Sequence, residues 1–368
     1  MSEIEGSLRI VEGRTELFVP ILHSSRGPGK RQGRVFYNEQ MAFNRDLSVM
    51  LFNAIDFTGK EALDSMAGTG ARGIRVANEG ARDFTIYVND SSEEALQYIE
   101  RNIELNNLDN CRASNSDMRC LLSNRPFDYV DVDPFGTPVP YVSAAIQGCK
   151  RNGILGITAT DTAPLAGTHP KKCVRRYGAK SVRCTFGHEL GLRILVGYLV
   201  RKAAELDMGA KPILCFYADH YFRLYMRLRA SALEADRSLD QLGYIRYRPE
   251  DGFRSFSREY DCTDSYGPLW GGPLYDRTIL ESMEVHDGLA DRTRCIKYLS
   301  IWKEELDVPY FYDNDEIASM LHASPPPMDR LFEKLGEVGK ISRAHFSPTA
   351  FKTDLNLTDL IGIVSEIV

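Results

Sequence analysis

Between residues 60 and 160, short apolar runs alternate with stretches whose apolar positions repeat every three or four residues, a pattern that predicts βαβ units feeding a parallel sheet. The strands are expected at 61–66, 84–89, 111–116, 127–133 and 154–160. The helix after the second begins where Ser91 or Ser92 can cap it and Glu93 and Glu94 put negative charge in its first turn, and Ala95, Ile99 and Ile103 form its buried face. A longer helix is expected over 188–206, with Leu192, Leu195, Val196 and Leu199 at helical spacing and Gly209 shortly beyond. Two more strands, 212–217 and 221–228, are separated only by Ala218, Asp219 and His220, which predicts an antiparallel hairpin at the sheet edge. The result is an α/β fold with a Rossmann-like sheet of seven strands.

The stretch 243–273 is polar and rich in glycine and tyrosine, with Gly267, Pro268, Gly271, Gly272 and Pro273 close together, and it is expected to hold the domain boundary. Domains at 1–262 and 263–368 follow. Beyond it, Asp313 or Asn314 caps a helix containing Ile317, Met320 and Leu321, and Ser324 precedes one containing Met328, Leu331 and Leu335. Extended chain over 341–351 and a last helix complete a smaller, mainly helical C-terminal domain resembling a winged helix.

Composition adds little to this picture. At 368 residues and 43% hydrophobic content, the chain can bury the cores of two domains. Residues 1–6 carry acids and no apolar run, and no later stretch suits a bilayer, so the expected place is the cytoplasm, away from membranes. Eight cysteines are spread singly, without a C-x-x-C pair, and are expected to be reduced thiols rather than metal ligands. A net charge of −6 argues against indiscriminate nucleic-acid binding, but two local runs are wholly basic. One holds Arg26, Lys30, Arg31 and Arg34. The other holds Lys171, Lys172, Arg175, Arg176, Lys180 and Arg183.

The first strand ends in Asp64 and runs into a loop containing Gly68, Gly70 and Gly73, where glycines let a nucleotide approach the backbone at a helix N-terminus. With Asp90 twenty positions after Gly70, this spacing fits NAD as well as S-adenosylmethionine. The rest of the sheet separates the two, because each strand delivers a polar group at its carboxyl end, and the first four deliver acids: Asp64, Asp90, Asp117 and Asp133. In a methyltransferase Asp90 takes the ribose hydroxyls, Asp117 and the Met118 backbone take the adenine, and Asp133 faces the substrate. The turn Asp133-Pro134-Phe135-Gly136 is the most informative stretch. An exocyclic amine on a purine is a poor nucleophile, and a carboxylate and a backbone carbonyl accepting its two N–H groups can turn its lone pair toward a methyl donor. Asp133 and Pro134 supply these acceptors, and Phe135 supplies a face for the base. An NAD-dependent oxidoreductase leaves this turn and the basic runs idle. A non-catalytic RNA-binding protein on the same scaffold would use the runs and the C-terminal domain to grip phosphates.

Asp-Pro-Phe-Gly resembles the Asp/Asn-Pro-Pro-Tyr/Phe motif of amino methyltransferases, on a sheet like that of class I methyltransferases. Several segments resemble the tRNA guanine-26 N2-dimethyltransferase family: Val35-Phe36-Tyr37-Asn38, Asn44-Arg45-Asp46-Leu47, Ala159-Thr160-Asp161-Thr162-Ala163-Pro164-Leu165, His188-Glu189-Leu190-Gly191, Asp219-His220-Tyr221-Phe222-Arg223 and His345-Phe346-Ser347-Pro348. The resemblance implies S-adenosylmethionine as cofactor, tRNA as partner, and Arg45 and Arg72 beside Asp90, Asp117 and Met118 at the cofactor. It also implies that a base in a tRNA stem is flipped out, with Lys171, Lys172, Arg175 and Arg176 among the RNA contacts. Glu39 stands where the family usually has proline and Thr137 where serine is common. Many relatives carry two cysteine pairs between 243 and 270, where this chain has only Cys262, so no metal is expected.

Overall fold

A computed structural model describes residues 4–25, 35–81, 83–261 and 263–368. The chain opens with an antiparallel hairpin, β1 (Ser7–Glu12) and β2 (Thr15–Pro20), followed by α1 (Ala42–Ala54). Alternating elements follow: β3 (Glu61–Asp64), α2 (Ala71–Glu79), β4 (Thr85–Asp90), α3 (Glu93–Leu105), β5 (Cys111–Asn115), α4 (Met118–Asn124), β6 (Phe127–Val132), α5 (Val139–Gln147) and β7 (Cys149–Ala159). After two short helices, α6 (Thr162–Leu165) and α7 (Pro170–Tyr177), come the long α8 (Gly187–Ala204), β8 (Met208–Ala218), β9 (Tyr221–Ala230) and α9 (Ala232–Leu239). The rest comprises β10 (Leu242–Tyr247), β11 (Arg254–Ser257), β12 (Ser265–Trp270), α10 (Arg277–Ser282), α11 (Arg292–Glu304), β13 (Tyr312–Asp313), α12 (Asn314–Met320), α13 (Met328–Gly336), β14 (Ile341–Arg343), β15 (Ala350–Thr353) and α14 (Leu357–Ser365).

The main sheet has seven strands in the order β5-β4-β3-β6-β7-β9-β8. The five strands β3 to β7 pair in parallel, and β9 runs antiparallel to β7 with Ile154 opposite Arg227 and Ala159 opposite Phe222. Strand order reverses between β3 and β6, so their carboxyl ends form the crevice where open α/β sheets bind ligands. Ser92 caps α3 by accepting from Ala95 N–H, and Glu93 and Glu94 occupy its first turn, as the sequence predicts.

The chain packs as two compact units, each drawn from three stretches. One comprises Met1–Thr160, Asp219–Ala230 and Asp276–Leu299, and the other Asp161–Ala218, Ser231–Tyr275 and Ser300–Val368. In the first, an aromatic cluster supports the sheet, with Phe52 stacked on Phe57 at 4.3 Å and edge-on to Tyr129 at 4.8 Å. The second buries Glu189, Glu305 and Lys352 together, with Lys352 Nζ 2.6 Å from Glu189 and 3.0 Å from Glu305.

The C-terminal region is partly β rather than mainly helical. One three-stranded sheet, β11-β10-β12, occupies the stretch expected to hold the domain boundary, and a second, β13-β15-β14, lies beside α12 to α14. In β10, Ile245 and Tyr247 are buried while Arg246 is exposed, a period of two that the surrounding glycines and prolines conceal. Tyr312, Ile317, Leu331, Leu335, Phe351, Leu360 and Val364 form the core around the second sheet, so its helices lean on strands, not only on one another.

Candidate active site

The loop after β3 is built by close approaches. A Cβ on Gly73 would stand 2.6 Å from Val88, so α2 can lie this near β4 only with glycine there. Gly68 adopts φ 56°, and a Cβ there would stand 2.7 Å from the Phe36 carbonyl. Gly68 N–H donates to Asp90 Oδ2 at 2.8 Å, and Ser92 N–H to Asp90 Oδ1 at 3.0 Å, which fixes the carboxylate that ends β4. Asp64, at the end of β3, accepts from Gly73 N–H at 2.9 Å. Burial, and then the charge of Asp131, push the Asp64 carboxyl up to about 7.

These groups line a cavity of about 400 Å³, within the range of small-molecule sites. Its wall includes Asp64, Gly68, Arg72, Asp90, Asp133, Pro134 and Phe135, with Arg45, Phe36 and Asp219–Tyr221 as further lining. The open glycine loop and the carboxylates of Asp64, Asp90, Asp133 and Asp219 suit a nucleoside bearing a positive centre, which is the chemistry of S-adenosylmethionine. Gly136 N–H donates to Thr160 Oγ1 at 2.8 Å and Thr160 N–H to Gly136 O at 2.9 Å, which pins the 133–136 turn to the end of β7. Phe135 is 58% exposed, although it meets Phe36 edge-on at 4.7 Å. An exposed aromatic ring beside a carboxylate is free to take a planar base.

Two arginines in this wall are already engaged. Arg72 Nη1 donates to Asn44 Oδ1 at 2.6 Å and Ser48 Oγ at 2.8 Å, and Nη2 donates to Asp133 Oδ2 at 2.5 Å. Its Nε lies 3.5 Å from Asp131, a fully buried carboxylate that also accepts from Arg223 and Tyr129. Burial opposes ionisation of Asp131, but Arg223 and then Arg72 outweigh it and hold the carboxyl at about 2. Arg45 is 6% exposed and donates through Nε to Glu12 at 2.6 Å, through Nη2 to Glu12, and to Asn38 O at 3.0 Å. Glu12 also accepts from Tyr37 at 2.6 Å and Arg75 at 2.9 Å, so the N-terminal hairpin helps fix the cavity wall.

The remaining expected site residues lie apart from the cavity. Asp117 caps α4 and binds Arg119 at 2.6 Å, an exposed pair, and the bonds from Arg119 hold its carboxyl at about 2. Neither Asp117 nor Met118 is in the cavity wall, and Met118 is buried with its sulfur 3.7 Å from Ser65 Oγ. On α7 Lys171 and Arg175 are exposed, whereas Arg176 donates to Asp161 at 2.8 Å. The earlier basic run, Arg26, Lys30, Arg31 and Arg34, falls outside the described residues, as does Cys262. Sequence reasoning missed Glu12, Phe36, Asn44, Ser48 and Asp131 as parts of this site. Of these, Phe36 and Asn44 stood in segments with family resemblance, the one signal available for them.

Comparison with known proteins agrees with this geometry. A family model described as N2,N2-dimethylguanosine tRNA methyltransferase matches residues 24–365. The chain is 38% identical to the tRNA (guanine(26)-N(2))-dimethyltransferase of Pyrococcus abyssi, covering 98% of this chain and 99% of that one. It is 34% identical to the enzyme of the same name from Saccharolobus islandicus, covering 97% and 98%. A solved structure of Trm1 from Pyrococcus horikoshii in complex with S-adenosyl-L-methionine superposes with a TM-score of 0.89 at 35% identity, over 97% of this chain and 99% of that one. With matches of this length and identity, the chain belongs to the N2,N2-dimethylguanosine tRNA methyltransferase family.

Proposed function

We propose that this chain, acting as a tRNA (guanine-26-N2)-dimethyltransferase, presents the target amine to the cofactor through the turn formed by Asp133, Pro134, Phe135 and Gly136. The observation that carries this reading is the position of Asp133 and the exposed Phe135 in the wall of the cavity that also holds Asp90 and the glycine loop.

When bound, S-adenosylmethionine supplies an electrophilic methyl group on a sulfonium centre. Asp90 would take the ribose hydroxyls, the backbone at Gly68 and Gly70 would lie against the nucleoside, and Arg45 and Asp64 would surround the amino-acid end. Asp117, outside the cavity wall, would meet the ring amine at the adenine's outer edge by exchanging its exposed partner Arg119 at little cost, with the Met118 backbone beside it. Asp133 and the Pro134 carbonyl accept the two N–H groups of guanine N2 and turn its lone pair out of conjugation with the ring. Phe135 stacks on the base, and Phe36 supports that ring from its edge. The proton shed by the methylated nitrogen leaves along its hydrogen bond to Asp133 and passes to water.

A base inside a tRNA stem has to be flipped out to reach such a cavity, at a cost of a few kcal/mol offset by phosphate contacts. The exposed Lys171 and Arg175 on α7, with Lys172, supply such contacts, and Arg176 joins them by exchanging Asp161 for a phosphate. We place the reaction in the cytoplasm; among the described residues no helix is long and apolar enough to cross a membrane. The test is nucleoside mass spectrometry of unmodified tRNA incubated with the protein and S-adenosylmethionine. N2,N2-dimethylguanosine is expected with G26 and not with A26. Cofactor binding without any methylated guanosine would overturn the assignment.

A further inference from the structure

Arg72 is assigned by resemblance to the cofactor, yet its shortest contact is with the carboxylate that faces the substrate. Its Nη2 lies 2.5 Å from Asp133 Oδ2, and both side chains line the cavity. Arg72 has little freedom to be elsewhere. Asn44 and Ser48, one turn apart on α1, take both hydrogens of Nη1, and Nε faces Asp131 at 3.5 Å. Asp131 is 0% exposed and is shared with the equally buried Arg223, which is itself tied to Thr158 Oγ1 at 3.0 Å. Charges therefore alternate in an unbroken chain from the sheet interior to the cavity: Arg223, Asp131, Arg72, Asp133. Moving Arg72 would leave Asp131 buried with one fewer cation and take a charged donor from Asn44 and Ser48, a costly rearrangement in a desolvated site.

We propose that Arg72 is a positioning residue that occupies one oxygen of Asp133, so that the carboxylate offers a single acceptor to the guanine amine. The chemistry of guanine gives this a purpose. Its Watson–Crick edge presents N1–H and N2–H side by side, and an unencumbered carboxylate pairs with both at once. That two-point grip keeps N2 coplanar with the ring and its lone pair delocalised, which binds the base but does not activate it. With the Arg72 guanidinium lying across Oδ2, a guanine that gripped both oxygens would bring its N1–H against that cation, so the base is held through Oδ1 and the second N2–H turns to the Pro134 carbonyl. Arg72 thus trades tight ground-state binding of the base for the orientation that reacts.

The inference rests on Asp133 being the acceptor for the amine, and the test separates the two ideas. In single-turnover assays Arg72→Lys, which keeps the charge but loses the planar fork, is expected to slow methyl transfer about 100-fold, the size of effect that small misplacements produce. The affinity for S-adenosylmethionine stays within about threefold of wild type, and KM for tRNA stays level or falls as the two-point grip becomes available. Added guanidinium ion is expected to restore part of the rate to Arg72→Ala. Ser48→Ala, which removes one anchor of Nη1 and no charge, is expected to show a smaller loss of the same pattern, and it decides the matter if the arginine variants do not fold. Combined with Asp133→Ala, Arg72→Lys should cost nothing further. Weakened cofactor binding in step with the rate, or an additive double variant, would overturn the inference and return Arg72 to the cofactor. A wild-type rate for Asp133→Ala would instead overturn the reading of the turn itself.

Discussion

Replacing Glu12 by alanine tests whether the N-terminal hairpin is an integral part of the methyltransferase unit. Glu12 is 5% exposed and accepts from Tyr37, Arg45 and Arg75. After truncation Arg75 keeps Asp46 at 2.6 Å and Glu79 at 2.7 Å, so its charge remains matched. Arg45 keeps the Asn38 carbonyl and the face of the Tyr37 ring, 5.1 Å away, and Tyr37 loses its acceptor. Leaving one buried arginine without its carboxylate costs about 3–5 kcal/mol. At roughly 2–4 °C per kcal/mol for a unit of this size, the melting temperature should fall by about 6–20 °C. Because Arg45 lines the cavity, affinity for S-adenosylmethionine should fall as well. Differential scanning calorimetry and isothermal titration with the cofactor measure both. A destabilisation below about 1 kcal/mol, the range of exposed ion pairs, would refute the reasoning by showing that the network is dispensable.

Acid should unfold the protein through carboxylates in both units. Burial opposes ionisation of Glu12 and Glu305, but Arg45 for the former and Lys352 and His345 for the latter hold each carboxyl at about 2, down from 4.5. A depressed folded value means stability that is fully present above pH 4.5 and lost as pH falls toward 2, on the order of 3 kcal/mol per group, and urea titrations across that window that show constant stability would contradict it. Asp64 shifts the other way: with its carboxyl near 7, an approaching sulfonium favours the ionised form, so cofactor affinity should rise from pH 6 to pH 8 and level off above, and this trend should vanish in Asp64→Asn. An unchanged slope in that variant would remove Asp64 from the account. Reversing Lys171 and Arg175 to glutamate should weaken tRNA binding and flatten its salt dependence, with cofactor affinity unchanged; parallel loss of both would argue for misfolding instead of lost phosphate contacts.

The parallel half of the sheet was legible because strand and helix periods alternate cleanly there, and because its first four strands each run into an acid. Asp64, Asp90 and Asp133 do line one cavity. The small sheets were not legible: β11 and β14 are four and three residues long, too short for a period to show, and β10 and β12 sit among glycines and prolines that read as turn. Partners distant in sequence were equally hidden. Nothing local marks Glu12 as the counterion of Arg45, 33 positions away, or Asp131 as the link between Arg72 and Arg223, since a buried ion pair is set by tertiary packing. Asp117 shows the converse, because an acid after a strand and before a helix also serves as a cap, and here its oxygens are spent on Arg119.

The central claim, that Asp133 orients the amine and does not hold the cofactor, is tested most directly by a single-turnover assay of Asp133→Ala with saturating S-adenosylmethionine, alongside cofactor titration of the same preparation. The account predicts that methyl transfer to G26 falls at least about 100-fold, equivalent to about 2.7 kcal/mol of lost transition-state stabilisation, while cofactor affinity stays within about threefold. Transfer at the wild-type rate, or a loss of cofactor affinity large enough to explain the slower transfer, would contradict it.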